Sequence, residues 1–100
     1  MNILEFTKSL AGGEPAPGLS PALEALWWEA KGDWHHAHGC VEHGTSAEAA
    51  WVHAYLHRVE GDLANARYWY NRAGKPPYDG SLKDELNAIA RALLANEAMH

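Results

Sequence analysis

Two histidines four residues apart are the first feature of the sequence that could carry chemistry. His53 and His57 share one face of a helix, and Glu60 follows three residues later. Two imidazoles and a carboxylate at this spacing can converge on a metal ion. The zinc-protease motif His-Glu-x-x-His is incomplete, because Ala54 takes the place of its general-base glutamate. The pattern favours buried histidines with structural roles, and a site for a small ligand, a proton or a metal is the alternative.

A second group of possible metal ligands precedes the first. His36, Cys40 and His43 recur at helical spacing, with His38 and Glu42 nearby. A thiolate with two imidazoles suits zinc, but a structural zinc site normally takes four ligands and the chain has no second cysteine. We therefore expect a solvated face here and only a weak metal candidate. Cys40 also lacks the glycine-rich elbow or oxyanion device that a cysteine nucleophile needs.

Arginines beside aromatic rings form the richest candidate set for recognition: Arg58, Arg67, Arg72, Asn65, Tyr68 and Trp69. Planar donors next to flat apolar surfaces are typical of binding hot spots. They are equally typical of stacking between adjacent helices of one protein, and the sequence leaves both interpretations open. For a protein partner, the predicted contacts are Trp51, Tyr55, Arg58 and Trp69.

Helix signals place these residues on an all-α chain. The predicted helices cover residues 2–10, 21–31, 33–43, 45–60, 62–73 and 81–97, with a Gly/Pro linker at 11–20. The predicted N-terminal caps are Ser20, Asp33, Thr45, Asp62 and Ser81. Thr45 and Glu48 are expected to form a capping box, and no segment shows the alternation of a strand. The chain thus divides into residues 1–20, a short helix with its linker, and residues 21–100, a helical domain.

A repeat organises the helical domain. The pair Gly32-Asp33 recurs 29 residues later as Gly61-Asp62, and an alanine follows four residues after each aspartate. Glycine lets the chain leave one helix, aspartate caps the next, and alanine allows the two helices to approach each other. The repeat predicts two α–α hairpins, at 21–44 and 45–74, with the helix over 81–97 sealing the end of their stack.

Residues 61–76, with the sequence GDLANARYWYNRAGKP, resemble the second helix of a tetratricopeptide-type hairpin. Within them, Trp69-Tyr70-Asn71-Arg72-Ala73 is similar to a short-repeat subclass that carries a Trp-Tyr-x-Lys-Ala stretch. The resemblance is close over residues 45–77 and poor over 21–44. It implies two tetratricopeptide-like hairpins with a C-terminal capping helix. The segment 51–70 also resembles small bacterial proteins of unassigned function, which implies no activity.

Composition narrows the classes of partner. The chain has 8 basic and 13 acidic residues, a net charge of −5, and no cluster of Lys and Arg dense enough to bind a phosphate backbone. A signal peptide is not expected, because Glu5 and Lys8 interrupt the apolar N-terminal stretch, and no run reaches membrane-spanning length. We therefore expect a cytoplasmic protein with neither nucleic acid nor membrane as its partner.

These features favour a non-enzymatic module for protein interaction or self-association, with no catalytic residue and no cofactor. Two hairpins form only a shallow groove, so a second copy of the chain is as good a candidate as a peptide. The alternative is a small-ligand-binding or enzymatic protein that uses a His53/His57 pocket with Arg67 and Tyr70. A cavity of about 300 Å³ or more reaching these histidines would favour that alternative. As structural residues, they should instead bond the Tyr70 hydroxyl, a carbonyl near Gly61, or each other.

Overall fold

The structure, a computed structural model, describes residues 1–98, which fold into six α-helices with no β-strand among them. The helices are α1 (Ile3–Ser9), α2 (Pro21–Ala30), α3 (Trp34–Val41), α4 (Ala47–Val59), α5 (Leu63–Ala73) and α6 (Leu82–Ala98). The predicted all-α class is confirmed. Within residues 1–98, no helix combines the length and the apolar character needed to cross a membrane.

Capping side chains set where the helices begin. Four predicted caps accept a hydrogen bond from the backbone N–H three residues later: Ser20, Asp33, Asp62 and Ser81. The prediction for α4 is wrong, because Ser46 rather than Thr45 accepts from the Ala49 N–H, at 3.0 Å. The expected capping box between Thr45 and Glu48 therefore does not form. Gly44 packs directly on the first turn of α4, since a Cβ added to it would lie 2.6 Å from that of Ala49.

The two Gly-Asp turns have the same geometry. Gly32 and Gly61 adopt φ angles of +89° and +86°, in the left-handed region that favours glycine. In each turn, the aspartate N–H donates to the carbonyl five residues earlier at 2.9 Å, which closes the end of the preceding helix. Helix α2 then packs on α3, and α4 packs on α5. The sequence repeat therefore corresponds to a structural repeat of the turn.

Helix α6 covers the first helices of both hairpins. It contacts α2, α4 and α1, and it buries Ile89 and Leu93 in the shared core. This differs from the prediction that the helix seals one end of the stack. In two packed hairpins alone, the apolar sides of α2 and α4 would both be exposed to water. A single helix that lies across both of them buries these apolar sides. The N-terminal segment joins the same core, where Phe6 is buried and the Trp27 indole N–H donates to Ser9 Oγ at 3.1 Å.

Candidate functional site

Two histidines and one carboxylate are buried in the part of the chain that the structure describes: His53, His57 and Glu85. Glu85 is paired within the fold, because it accepts hydrogen bonds from the Arg58 guanidinium, at 2.9 Å, and from the Tyr70 hydroxyl. The two histidines lie on α4 and are only 4% and 7% exposed. Their burial agrees with the structural role predicted for them, but their partners differ from those expected.

His38 of α3 completes a cluster with the two histidines of α4. Its Nε2 lies 3.1 Å from the Nε2 of His53. Each of the three rings offers one nitrogen within 4.8 Å of those of the other two. The cluster therefore connects the first hairpin to the second. Sequence reasoning had grouped His38 with the solvated face of α3, although its position one turn after Trp34 was a signal that it lies against aromatic neighbours.

Two tryptophans hold these rings in place. Trp34 stacks on His38 with ring centroids 4.9 Å apart and planes at 10°. The Trp34 indole N–H also donates to the Leu56 carbonyl at 2.8 Å, which fixes α3 against α4. Trp69 of α5 stacks on His53 at 3.9 Å and 15°. Because two of the three imidazoles lie flat against an indole, their rotation is restricted and the cluster is preorganised.

A carboxylate orients one of the three imidazoles, and a second carboxylate lies near another. Glu60 Oε1 lies 2.7 Å from the Nδ1 of His57, and Glu42 Oε2 lies 3.6 Å from the Nδ1 of His38. A carboxylate at Nδ1 keeps the ring proton there and leaves the lone pair on Nε2, as in metal-binding histidines. The side-chain nitrogen of Asn65 lies 3.4 Å from the Nε2 of His57, where its N–H can donate to that lone pair.

Burial favours the neutral form of two of the three rings. Burial, together with the neighbouring His57 and His38, lowers the pKa of His53 to about 4. Burial also lowers the pKa of His38, with His57 acting in the same direction and Glu42 opposing it. A neutral imidazole has a lone pair to offer at pH 7. The Nδ1 of His53 is buried without a hydrogen-bond partner among residues 1–98, so the fold alone does not satisfy the cluster.

The spacing of the cluster suits a metal ion. Zinc binds imidazole nitrogens at about 2.0–2.1 Å, which places tetrahedral ligands about 3.4 Å apart. The 3.1 Å separation between the Nε2 atoms of His38 and His53 is close to that value, and all three ligand nitrogens lie within 4.8 Å of one another. His57, Glu60 and Asp62 form another group with nearby ligand atoms, but there the Asp62 carboxylate already caps α5. The three-histidine cluster is the better site, because its nitrogens converge without breaking a cap.

The predicted group of His36, Cys40 and His43 does not assemble. Helix α3 ends at Val41, so His43 falls outside the helical spacing and its side chain is 93% exposed. Glu24 of α2 joins His36 and Cys40 instead. Burial, with a contribution from Glu24, raises the pKa of the Cys40 thiol to about 11. The thiol is therefore protonated at neutral pH, which disfavours a nucleophile.

The structure separates Arg67 and Tyr70 from the two histidines. Trp69 covers His53, whereas Tyr70 lies about 100° further around the helix. The Tyr70 hydroxyl donates to Glu85, so it is not the histidine partner that the sequence suggested. Arg67 is exposed and lines, with Tyr70, a separate groove of about 240 Å³. A pocket that combines all four predicted residues is thus not formed.

Most of the predicted contacts for a protein partner are engaged within the chain. The ammonium of Lys75 lies 4.4 Å from the centre of the half-buried Trp51 ring. Tyr55 is only 3% exposed, and burial raises its pKa. Arg58 pairs with Glu85 and also donates to the Gly80 carbonyl. These residues therefore act as structural stacking and pairing groups.

The geometry defines a class of site: a cluster of convergent imidazoles, two of them buried, with a carboxylate hydrogen-bonded to the outer nitrogen of one of them. Such a site can bind a transition metal or pass a proton between rings. Comparison with protein families, with curated proteins and with solved structures gives no match to this chain.

Proposed function

We propose that the chain binds a divalent transition metal ion through His38, His53 and His57. The observation that carries the proposal is the convergence of three ring nitrogens within 4.8 Å of one another. Imidazole suits Zn²⁺, Cu²⁺ and Ni²⁺. The lowered pKa values of His38 and His53 favour binding, because no proton has to be displaced from either ring at neutral pH.

Metal binding at this cluster would couple to folding. His38 belongs to the first hairpin, whereas the other two ligands belong to the second, so the ion would link the hairpins. An ion that binds only the folded chain stabilises it by about 2.7 kcal/mol at 100 times its Kd. For a chain of this length, each kcal/mol raises the Tm by about 4–8 °C. Saturation with Zn²⁺ should therefore raise the Tm by about 10 °C or more.

To test the proposal, bound metal is first removed with a chelator, and thermal melting is then measured with and without added Zn²⁺. His38→Ala is the informative variant, because His38 is the least buried of the three ligands and its loss least disturbs the core. His43→Ala is the matched control, since that side chain is 93% exposed. Zn²⁺ should raise the Tm of the wild type and of the control, but not that of His38→Ala. An increase of equal size in all three proteins would contradict the assignment.

A second proposal concerns an exposed patch on α5. We also propose that Tyr68, Trp69 and Arg72 mediate interaction with a protein partner or a second copy of the chain. Tyr68 is 52% exposed, and the Arg72 guanidinium lies 5.8 Å from its ring and 5.3 Å from that of Trp69. A planar cation layered on two rings is typical of interface hot spots. The repeated turns support, within this proposal, a tetratricopeptide-like class of fold.

Light scattering over a range of concentrations tests self-association. The average molar mass of the wild type should increase with protein concentration, and that of Tyr68→Ala should stay constant. Leu4→Ala is the matched control, because Leu4 is exposed to a similar degree, 59%, on a different helix. A wild type that stays monomeric at every concentration, and that captures no protein from a lysate, would refute this second proposal.

A further inference from the structure

We infer that the metal held by His38, His53 and His57 keeps one exchangeable coordination position, which takes a water molecule or a small anion bonded by the Asn65 amide. This inference rests on the proposed metal-binding function and concerns the fourth ligand of that site. Three protein ligands with one open position are characteristic of reactive zinc sites, whereas structural zinc sites have four protein ligands.

Donors within residues 1–98 leave the fourth position to an external ligand. The group of convergent ligand atoms at the cluster consists of three imidazoles. The nearest carboxylates lie on the Nδ1 side of two of the rings, and that of Glu60 is hydrogen-bonded there. Glu60 is 2.7 Å from the Nδ1 of His57, and Glu42 is 3.6 Å from the Nδ1 of His38. The two nitrogens of an imidazole point away from each other, so a carboxylate bonded at Nδ1 cannot also reach a metal at Nε2.

Asn65 lies on the inner side of His57. Its side-chain nitrogen is 3.4 Å from the Nε2 of His57, the atom whose lone pair the metal would take. An ion bound to that lone pair at about 2.0–2.1 Å would displace the amide N–H from it, so the Asn65 side chain would turn aside and its N–H would lose its acceptor next to the ion. A metal-bound water or anion supplies a new acceptor at that place. The backbone of Asn65 is fixed meanwhile, because its N–H donates to the Asp62 cap.

Solvent can reach the cluster from one direction. The side chain of His38 is 23% exposed, whereas His53 and His57 are buried. An external ligand must therefore approach past His38, which suits water or a small linear anion better than a large ligand. The chemical class of the external ligand is therefore a small hydrogen-bond acceptor, such as hydroxide, azide or thiocyanate.

A cobalt-loaded protein provides the test, because the visible absorption of Co²⁺ depends on its ligands. The Co²⁺ form is titrated with sodium azide, and metal retention is checked by desalting. The wild type should show a saturable spectral change with its Co²⁺ retained. Asn65→Ala should still retain Co²⁺ on desalting but need about tenfold more azide for half-saturation, because a hydrogen bond to a charged ligand is lost. Asn71→Ala, an exposed asparagine of the same helix, should behave as the wild type.

The outcomes separate this inference from the function on which it rests. If Co²⁺ binds in a His38-dependent manner but azide leaves the spectrum unchanged, the fourth position is closed and the inference is wrong, while the metal-binding function stands. If Asn65→Ala loses its Co²⁺ on desalting, as His38→Ala does, Asn65 is a metal ligand, and the inference is again wrong. If Co²⁺ does not bind the wild type, the proposed function fails and this inference fails with it.

Discussion

The two hairpins have the same turn but different chemistry between their helices. The two hairpins have different residues at four pairs of equivalent positions, each pair 29 residues apart. The pairs are Glu24 and His53, Trp28 and His57, His36 and Asn65, and Cys40 and Trp69. In the first hairpin, Trp28 stacks on His36 with centroids 3.8 Å apart. In the second hairpin, the residue equivalent to Trp28 is a histidine, which contacts Asn65 and belongs to the buried cluster.

The comparison shows that the Gly-Asp turn gives both hairpins the same connection between their helices. A few residues that face each other between the helices then determine the chemistry of each hairpin. An indole between two helices gains stability from apolar contact. Imidazoles in the same place gain less, because each buried nitrogen needs a partner. Neither arrangement pairs every buried nitrogen, because the Nε1 of Trp28 and the Nδ1 of His53 both lack a partner among residues 1–98. The second arrangement differs in bringing together the ring nitrogens that we propose as metal ligands.

The largest expected effect comes from truncating the equivalent residues Trp28 and His57. In the presence of chelator, Trp28→Ala should lower the free energy of unfolding by about 3 kcal/mol, because it removes a large stacked ring. His57→Ala should cost about 2 kcal/mol, through lost packing and the lost bond to Glu60. Urea denaturation of the two variants and the wild type measures both values.

Zinc should reverse the order of these two variants. Trp28→Ala keeps the three ligands and gains the same stabilisation as the wild type, so its deficit should not change. His57→Ala lacks a ligand, so its deficit should grow by about 2.7 kcal/mol at 100 times the Kd. The same urea series with saturating Zn²⁺ measures this. An unchanged order would show that the difference between the hairpins is one of packing only.

Acid should destabilise the fold through the second hairpin. The pKa of His53 is about 4 in the folded chain, below its ordinary value of 6.5. The unfolded chain therefore binds the extra proton as the pH falls through 6.5, and stability is lost down to about pH 4. Between pH 7 and pH 5, this amounts to about 2 kcal/mol of unfolding free energy. Urea titrations at the two pH values should show a smaller loss for His53→Leu than for the wild type.

The smallest expected effect concerns the turn geometry that the two hairpins share. Gly32→Ala and Gly61→Ala should each cost about 1 kcal/mol, because a side chain is disfavoured at their positive φ angles. The two costs should be alike, since an added Cβ meets no atom within 4 Å at either position. Gly39→Ala is the control, because Gly39 lies within α3 with the same free space and should stabilise by about 0.5–1 kcal/mol. If the two glycine substitutions destabilised the protein by unequal amounts, the two turns would not be equivalent.

Features decided within a few residues were predictable from the sequence. The caps at Asp33 and Asp62 depend on a side chain and an amide three residues later, and the structure forms both. Where neighbouring residues could do the same task, the sequence was ambiguous. Thr45 and Ser46 can both cap a helix, and the contact between Gly44 and Ala49 accompanies a start at the later one.

The composition of the site depends on contacts between helices, which helical spacing alone does not specify. The burial of His53 and His57 followed from their place in the hairpin, but His38 joins them only because Trp34 fixes α3 against α4. In the same way, the rotation of α5 puts Trp69 rather than Tyr70 over His53. Long-range packing of this kind leaves no periodic signal in the sequence.

Zinc stoichiometry at neutral pH, measured by equilibrium dialysis, tests the metal site most directly. The wild type and the His43→Ala control should each retain about one zinc ion per chain, as expected for a single site. His38→Ala and His53→Leu, which remove a ligand from each hairpin in turn, should retain almost none. Circular dichroism confirms that the variants remain helical. Equal zinc content in all four proteins, or none in the wild type, would contradict the three-histidine site.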